Sequence, residues 1–413
     1  MNQGICGEDK CTACEACVQV CPKNCISKYI REDDTWVLTI DEEKCIHCGK
    51  CKSVCPSIQN PKFHAPTYSY AAWRTNKKVH MQSASGGVAT AFYEYAINKG
   101  MYVAGVVLNG EFEARFYLTN NLDDLQKFKN SKYTFSYAGD VYREIIDKLQ
   151  EGEHILFIGL PCQVAGIKQL IRGKKYAEQL IAVDLVCHGT PTPVYLKQHI
   201  ANIERTYKTR FEKCFFRDAK FDTSNFAYTL YTHNSEQPTY VKYVDEDDNY
   251  QIGYHNALIY RDVCYSCAYA KRERVGDITI GDYHGLGKAA PYNHEKVNVS
   301  CVVVNTDVGK EFIDAIQKNG TLTMYTRPVS EPLDGEKQFN RPSYAPEERN
   351  LFLRKYAQCK DFDVAADFAF KTFKRKNQVY KFFHVKQIKD GAIKLIPRSV
   401  KEAAKAMIRK IKK

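Results

Sequence analysis

The chain lacks the features that would place it in a membrane or outside the cell. No apolar stretch approaches the length needed to cross a bilayer. Met1 runs into a cysteine motif without the basic and apolar lead of a secretory signal peptide. The 17 cysteines in 413 residues therefore predict metal ligands rather than the disulfide framework of a short secreted protein. We expect a reducing compartment, the cytoplasm.

Most of the chain also lacks an excess of basic charge. The formal net charge is +12, but residues 371–413 contain 15 Lys or Arg and only 2 Asp or Glu. Residues 1–370 then carry a net charge of about −1, which excludes a basic nucleic-acid-binding body. The basic charge belongs to a C-terminal tail.

Two copies of one cysteine pattern, C-x-x-C-x-x-C-x-x-x-C-P, occupy the first 55 residues. In the two-cluster ferredoxin arrangement, three thiolates of each run hold one [4Fe–4S] cluster and the fourth joins the other cluster. A structural zinc site needs only four ligands and does not explain two interlocked sets. The first predicted set is Cys11, Cys14, Cys17 and Cys55, and the second is Cys21, Cys45, Cys48 and Cys51.

The pattern of apolar residues divides the chain into three parts. Residues 1–62 are predicted to form a ferredoxin-like α+β module, with a short strand over 36–40 between its two cysteine motifs. Residues 67–370 are predicted to form an α/β domain with a mainly parallel or mixed sheet. A β-rich insertion is expected near 210–260, and residues 371–413 form a basic tail with a predicted amphipathic helix. In the α/β domain we predict helices over 88–98, 140–150 and 163–171, and strands over 102–108, 155–158, 180–186, 278–280 and 301–304.

Four further cysteines stand at informative places. Cys162 and Cys187 each follow a predicted strand, and parallel strands would bring both to the same sheet edge. A Cys264-x-x-Cys267 pair lies downstream. Together the four thiols could hold another [4Fe–4S] cluster or a zinc ion, but buried core cysteines are the simpler alternative from spacing alone.

Six ordered motifs resemble the family of deazaflavin-coenzyme hydrogenase and dehydrogenase beta subunits. They stand at 85–90 (Ser-Gly-Gly-Val-Ala-Thr), 131–136, 161–166, 186–189, 264–267 and 277–282, and the resemblance spans about 67–330. It implies FAD, and electron transfer between iron–sulfur clusters and an organic acceptor. It also implies a third [4Fe–4S] cluster held by Cys162, Cys187, Cys264 and Cys267. Bacterial relatives and the plant hydroxymethyl-chlorophyll reductase share this core, so the substrate is not fixed.

The resemblance also indicates where a flavin would bind. A glycine pair that opens a helix presents free N–H groups to a phosphate, and a nearby lysine could neutralise it. For each polar candidate, a structural hydrogen bond is the alternative. The predicted cofactor contacts are Ser85, Gly86, Gly87, Thr90, Ser131, Lys132, Tyr133, Asp277 and Asp282, and the predicted catalytic residues are His188, Asp282 and Lys132.

The expected function is that of an iron–sulfur flavoprotein oxidoreductase that exchanges electrons with a ferredoxin-like partner and acts on a small organic substrate. The alternative is an electron-transfer subunit that serves a partner oxidoreductase and has no substrate of its own. A third hypothesis is a binding protein whose cysteines hold structural zinc. The basic tail could lie on an anionic membrane or pack on protein. Neither the substrate nor the direction of electron flow can be read from the sequence.

Overall fold

The computed structural model describes residues 3–221 and 223–382. The N-terminal part is a small module in which three antiparallel strands in the order β1-β3-β2 carry two short helices. The strand predicted at 36–40 coincides with β3. The elements are β1 (Gln3–Gly4), α1 (Ala16–Gln19), β2 (Ile26–Ile30), β3 (Trp36–Ile40) and α2 (Lys50–Ser53).

A nine-stranded mixed sheet forms the centre of the body. In the first half of the body's sequence, strands alternate with helices, because short apolar runs are separated by glycines and by amphipathic segments. The helix predicted at 88–98 and the strand predicted at 102–108 are found with those bounds. The elements are β4 (Tyr68–Arg74), α3 (Lys77–Met81), α4 (Val88–Asn98), β5 (Tyr102–Leu108), β6 (Ala114–Thr119), α5 (Leu125–Phe128), β7 (Ser136–Tyr137), α6 (Val141–Gln150), β8 (Ile155–Gly159), α7 (Pro161–Leu170) and β9 (Leu180–Leu185).

The second half of the body adds a subdomain and completes the sheet. The strands predicted at 278–280 and 301–304 lie within β13 and β14, and both are slightly longer than predicted. The elements are α8 (Pro193–Tyr207), β10 (Lys213–Phe215), β11 (Tyr228–Tyr231), β12 (Tyr240–Lys242), α9 (Asn249–His255), α10 (Asp262–Tyr265), β13 (Ile278–Asp282), β14 (Ser300–Val304), α11 (Asp307–Asn319), β15 (Leu322–Arg327), α12 (Ser330–Gly335), α13 (Glu347–Cys359), α14 (Phe362–Ala369) and α15 (Lys371–Phe382).

The strand order of the large sheet is β15-β4-β14-β13-β9-β8-β5-β6-β7. The four central strands, β13, β9, β8 and β5, are parallel, whereas β14 and β4 run antiparallel to their neighbours. The sheet is therefore mixed. Because the central strands are parallel, their carboxyl ends share one edge, where open α/β sheets bind ligands.

The predicted β-rich insertion is only partly composed of strands. β10, β11 and β12 form an antiparallel sheet, but the segment ends in α9, which Asp248 caps by accepting a bond from Gln251 N. This subdomain buries His199 between Asp248 and Asp363, at 3.0 and 2.8 Å. Burial opposes the charge of His199, but the two carboxylates raise its pKa to about 10.

The N-terminal module is fastened to the body at several points. The Glu15 carboxylate accepts bonds from Ala138 N and Gly139 N at 2.8 and 2.9 Å. In the connecting segment, His64 and Arg274 exchange two backbone hydrogen bonds of 2.8 and 2.9 Å. The connection is thus part of the folded structure.

The basic tail is described only over α15. The amphipathic helix predicted around 399–411 lies outside the described residues. Within the described part of the chain, no helix combines the length and apolar character needed to span a bilayer.

Candidate functional site

Two small cavities in the N-terminal module are lined by cysteines. The first, here the inner cavity, is lined by one predicted set of four, and the second, here the outer cavity, by the other set. Each cavity takes three cysteines from one run and the fourth from the other run. A donor set of thiols alone fits an iron–sulfur cluster. The inner cavity contains Cys11, Cys14, Cys17 and Cys55, and the outer cavity contains Cys21, Cys45, Cys48 and Cys51.

Each of these cavities also has a fifth cysteine that no motif indicated. Cys25 lines the outer cavity with its Sγ 3.3 Å from Cys21 Sγ, and Cys6 lines the inner cavity. Hydrogen bonding to Cys6 lowers the pKa of Cys11 to about 6 and that of Cys55 to about 7. The thiolate forms of Cys11 and Cys55 are thus stabilised by a neighbouring thiol, whereas burial raises the pKa of Cys14 to about 12.

A third cavity of about 440 Å³, here the interface cavity, lies where the module meets the body. Cys162 reaches it from the first turn of α7, directly after β8, and Cys187 follows the neighbouring parallel strand β9. Cys264 and Cys267 complete the lining. The structure therefore brings together the four cysteines that were grouped from the sequence. Burial raises the pKa of Cys187 to about 12 and that of Cys267 above its usual range.

The predicted catalytic residue His188 lines the interface cavity. Its Nε2 lies 3.7 Å from Glu336 Oε2, and His284 Nε2 lies 3.2 Å from the same oxygen. His188 does not line the cavity in which the other predicted catalytic residues are found, as far as the described residues show. Its place is beside the four cysteines.

The fourth cavity, here the sheet-edge cavity, has a volume of about 730 Å³ and lies at the carboxyl ends of β8, β9 and β13. The N-terminus of α4 faces it through Val88, Ala89 and Thr90, and within the described residues this helix has no side-chain cap. Uncapped N–H groups at a helix N-terminus bind phosphate. Six predicted residues line the cavity, namely Ser85, Gly87, Thr90, Ser131, Lys132 and Asp282.

Gly87 forms the tight turn that leads into α4 at the edge of the sheet-edge cavity. Its φ is +76°, a left-handed conformation that favours glycine. A Cβ at this position would lie 2.6 Å from Ser83 Oγ and 2.7 Å from Arg74 Cγ. Only glycine therefore fits this turn between Ser83 and Arg74, and the turn sets the N-terminus of α4 at the edge of the cavity.

Three predicted cofactor contacts do not line the sheet-edge cavity in the described structure. Gly86 packs on the sheet, where its N donates to Ser300 Oγ at 2.9 Å. Tyr133 stacks on Tyr254 at 4.3 Å. Asp277 precedes β13 and Asp282 ends it, and the five residue steps between them span about 16 Å of extended chain. Asp277 instead accepts bonds from Lys168 Nζ and Ala182 N at 3.0 and 2.8 Å.

Charged side chains shape one wall of the sheet-edge cavity. Lys132 Nζ donates to the carbonyls of Phe128 and Lys129, both at 2.8 Å, and burial lowers the pKa of Lys132 to about 7. Asp282 Oδ2 accepts a bond of 2.8 Å from Arg217 Nη1. Arg217 comes from the segment after β10, which sequence reasoning missed because no motif links it to the cavity.

Family models match most of the chain. The model described as coenzyme F420 hydrogenase/dehydrogenase, beta subunit N-term, matches residues 69–141, and the companion model for the C terminus of that beta subunit matches residues 152–329. Two models of 4Fe-4S dicluster domains match residues 10–58 and 37–100.

The chain also matches solved structures. A chain from a xenon-derivatised F420-reducing [NiFe] hydrogenase complex of Methanosarcina barkeri is 17% identical. The alignment covers 78% of this chain and 93% of that chain, with a TM-score of 0.42. No curated protein matches the chain.

Proposed function

The chain belongs to the coenzyme F420 hydrogenase/dehydrogenase beta-subunit family and contains a 4Fe-4S dicluster domain, and from this premise we propose an iron–sulfur flavoprotein. It passes single electrons between three [4Fe–4S] clusters and FAD for the two-electron reduction or oxidation of an organic substrate. Its electron partner is ferredoxin-like, and its compartment is the cytoplasm.

The observation that carries this proposal is the contiguity of the cavities. Thr12, Pro56 and Ser57 line both the inner cavity and the interface cavity. Leu160, which precedes Cys162 by two residues, lines both the interface cavity and the sheet-edge cavity. The inner, interface and sheet-edge cavities therefore adjoin one another in series, and the outer cavity lies in the same small module as the inner one.

The residues of the sheet-edge cavity have separable roles. FAD, when bound, supplies the conversion between one-electron and two-electron transfer. The amides of α4 and the hydroxyls of Ser85 and Thr90 hold a phosphate group. Lys132 adds a positive charge when protonated, and Arg217 fixes the orientation of Asp282 through their ion pair. In this assignment Lys132 and Asp282 contact the flavin or substrate.

The metal sites are tested by anaerobic purification followed by iron, zinc and flavin analysis. Three clusters contain about twelve irons. We expect Cys264→Ser and Cys267→Ser each to lose about four irons, while Cys359→Ser at the end of α13 keeps the full complement. A colourless protein that holds zinc, or fewer than about eight irons per chain, would contradict the proposal.

The flavin site is tested by reconstitution with FAD. Gly87→Val forces a side chain against Ser83 and Arg74 and so displaces the turn into α4. We expect this variant to lose flavin fluorescence quenching and flavin retention on gel filtration. Gly173→Val serves as the control, because Gly173 also has a positive φ, +72°, and no described atom lies within 4 Å of its missing Cβ. Equal flavin retention by the two variants would remove FAD from this cavity.

A second candidate is an electron-transfer subunit without its own substrate. The term beta subunit in the matching family models favours this reading, because it implies a partner enzyme. Full-length protein assayed with a reduced donor and a panel of deazaflavin, nicotinamide and quinone-like acceptors separates the two. Turnover without a partner supports the flavoprotein enzyme, and turnover only with an added partner supports the electron-transfer role.

The role of the basic tail is a separate proposal. Residues 371–413 could bring the protein to an anionic membrane surface. Flotation of the full-length chain and a chain ending at 370 with anionic liposomes checks this. Equal recovery of both in the unbound fraction would exclude membrane binding through the tail.

A further inference from the structure

Arg261 differs from the other buried arginines of the described structure. Among residues 3–221 and 223–382, six arginines are buried, and five of them pair with a carboxylate at 2.9 Å or less. Arg261 is 4% exposed and has no carboxylate partner among the described residues. The five paired arginines are Arg74, Arg217, Arg274, Arg327 and Arg349.

The hydrogen bonds of Arg261 go only to uncharged groups. Its Nη1 donates to Thr12 O at 2.9 Å, and its Nε donates to Thr190 Oγ1 at 3.3 Å. The guanidinium carbon lies 3.6 Å from the centre of the Phe135 ring. These contacts hold the side chain in place but leave its charge without a counter-ion. A buried, unpaired charge is costly, so its retention points to an anionic partner.

Two sets of thiols flank this charge. Thr12, which accepts the bond from Arg261, stands between the inner-set residues Cys11 and Cys14. On the other side, Arg261 lines the interface cavity together with Cys162 and Cys187. Asp9 also lines the interface cavity, but it forms no ion pair with Arg261 among the described residues. The two sets of thiols are therefore the anionic partners that this arrangement offers to Arg261.

We propose that Arg261 is a positioning residue that supplies the shared counter-charge of the inner and interface clusters and so raises the reduction potentials of both. The proposal rests on the clusters of the proposed function. A [4Fe–4S] cluster becomes more negative when it is reduced, and a nearby cation in a low-dielectric site stabilises that state. One electron leaves one cluster and reduces the other, and no bond or proton is required.

The test is a redox titration of the full-length, iron-loaded protein monitored by electron paramagnetic resonance. Arg261→Gln removes the charge, and we expect two of three one-electron steps to move to lower potential. At a fixed ambient potential, the ratio of reduced to oxidised cluster should fall at least tenfold at both steps, equivalent to about 59 mV for a one-electron couple. The third step belongs to the outer cluster and should stay unchanged.

Two further variants control the result. Arg205→Gln removes one positive charge from α8, where Arg205 is exposed and donates to Asn202, and should shift no step by more than about twofold. Arg261→Lys keeps the positive charge but loses the planar guanidinium group. At a fixed ambient potential, its ratio of reduced to oxidised cluster should stay within about threefold of the wild-type ratio at all three steps. If Arg261→Gln does not retain iron, the iron content and potentials of Arg261→Lys test the proposal instead. Its normal iron content and potentials support the proposal, and loss of iron or shifted potentials contradict it.

The outcomes separate this inference from the proposed function. Suppose that the wild-type protein holds three clusters and that Arg261→Gln shifts no reduction step, one step or all three alike. This result overturns the role of Arg261 but leaves the proposed clusters in place. Wild-type protein with fewer than about eight irons overturns the proposed function itself.

Discussion

The inner and outer cavities come from the same cysteine spacing but have different surroundings. In the inner set Cys14, Cys17 and Cys55 are buried, at 8%, 6% and 8% exposure. In the outer set Cys48 is exposed and the other three are half-buried. The difference arises because α1 packs against α6 and α7 of the body, whereas α2 makes no comparable contact among the described residues. Equal spacing therefore does not give equal surroundings.

One pair of matched positions shows how the inner run is adapted to the body. Glu15 and Gly49 occupy the same place in the two runs, and both have positive φ, 65° and 72°. Glycine adopts this conformation without strain, but a side chain costs about 1–2 kcal/mol there. At Glu15 the carboxylate offsets the strain by its bonds to Ala138 N and Gly139 N. The outer run has no such attachment to the body among the described residues, and its Cys48 stays exposed.

The largest expected effect comes from replacing one ligand in each cavity. We expect Cys14→Ser to lose about four irons irreversibly, because its buried site excludes a substitute ligand. Cys48→Ser should also lose iron, but 2-mercaptoethanol should restore it, because the exposed site admits an external thiol. The measurement is iron per chain after reconstitution with and without the thiol. Equal rescue of both variants would break the distinction between inner and outer cavities.

The second prediction uses Glu15 and Gly49. Glu15→Ala leaves the positive φ in place and removes the two charge-assisted bonds, so it should lower the free energy of unfolding by about 2 kcal/mol. Gly49→Ala introduces only backbone strain, about 1 kcal/mol, because no described atom lies within 4 Å of the missing Cβ. Anaerobic urea unfolding measures both. A larger loss for Gly49→Ala would show that the carboxylate does not fasten the module.

The third prediction contrasts the permanent charge of Arg261 with the titrating charge of Lys132. Burial lowers the pKa of Lys132 to about 7, so the free protein carries this charge below pH 7 and loses it as the pH rises. FAD binding should therefore weaken by about tenfold between pH 6 and pH 8, consistent with one hydrogen bond to a charged group. Lys132→Met should bind more weakly at pH 6 and show no such pH dependence. A parallel pH profile for both proteins would exclude Lys132 as the responsible group.

The smallest expected effect is kinetic. An iron chelator under anaerobic conditions should remove about four of about twelve irons in a first phase, because Cys48 of the outer set is the one exposed cysteine among the twelve described in the three sets. The remaining iron should leave several-fold more slowly. In Cys48→Ser, measured without added thiol, the fast phase should be absent. A single phase in wild-type protein would mean that burial does not distinguish the cavities.

The sequence predicted the parts of the fold and site that depend on local spacing. The helix at 88–98 follows from its amphipathic pattern and from the glycine at 100 that stops it, and the strand at 36–40 follows from a short apolar run between the two cysteine motifs. Cys162 and Cys187 were grouped because each follows a strand, and β8 and β9 are parallel neighbours. The separation of the eight N-terminal cysteines into two cavities follows from the repeat of the pattern itself.

The remaining features depend on contacts between distant segments. No local pattern in the sequence predicts that β14 runs antiparallel to β13. Nor does any local pattern predict that the segment after β10 places Arg217 beside Asp282. Asp277 was grouped with Asp282 because they share a motif, but a strand places its two ends apart. Arg261 and Glu15 carry no motif, and their contacts, with Thr12 O and with the amides before α6, appear only when the module docks on the body.

The backbone bridge between His64 and Arg274 has a consequence for kinetics. A carrier domain on a free linker would have to swing between its donor and its acceptor, and its rate would fall as solvent viscosity rises. Here the segment after the module is hydrogen-bonded into the body, so the distance between the inner and interface cavities is set by the fold. Electron transfer within the chain should therefore be insensitive to added glycerol. Viscosity should slow only the encounter with an external partner.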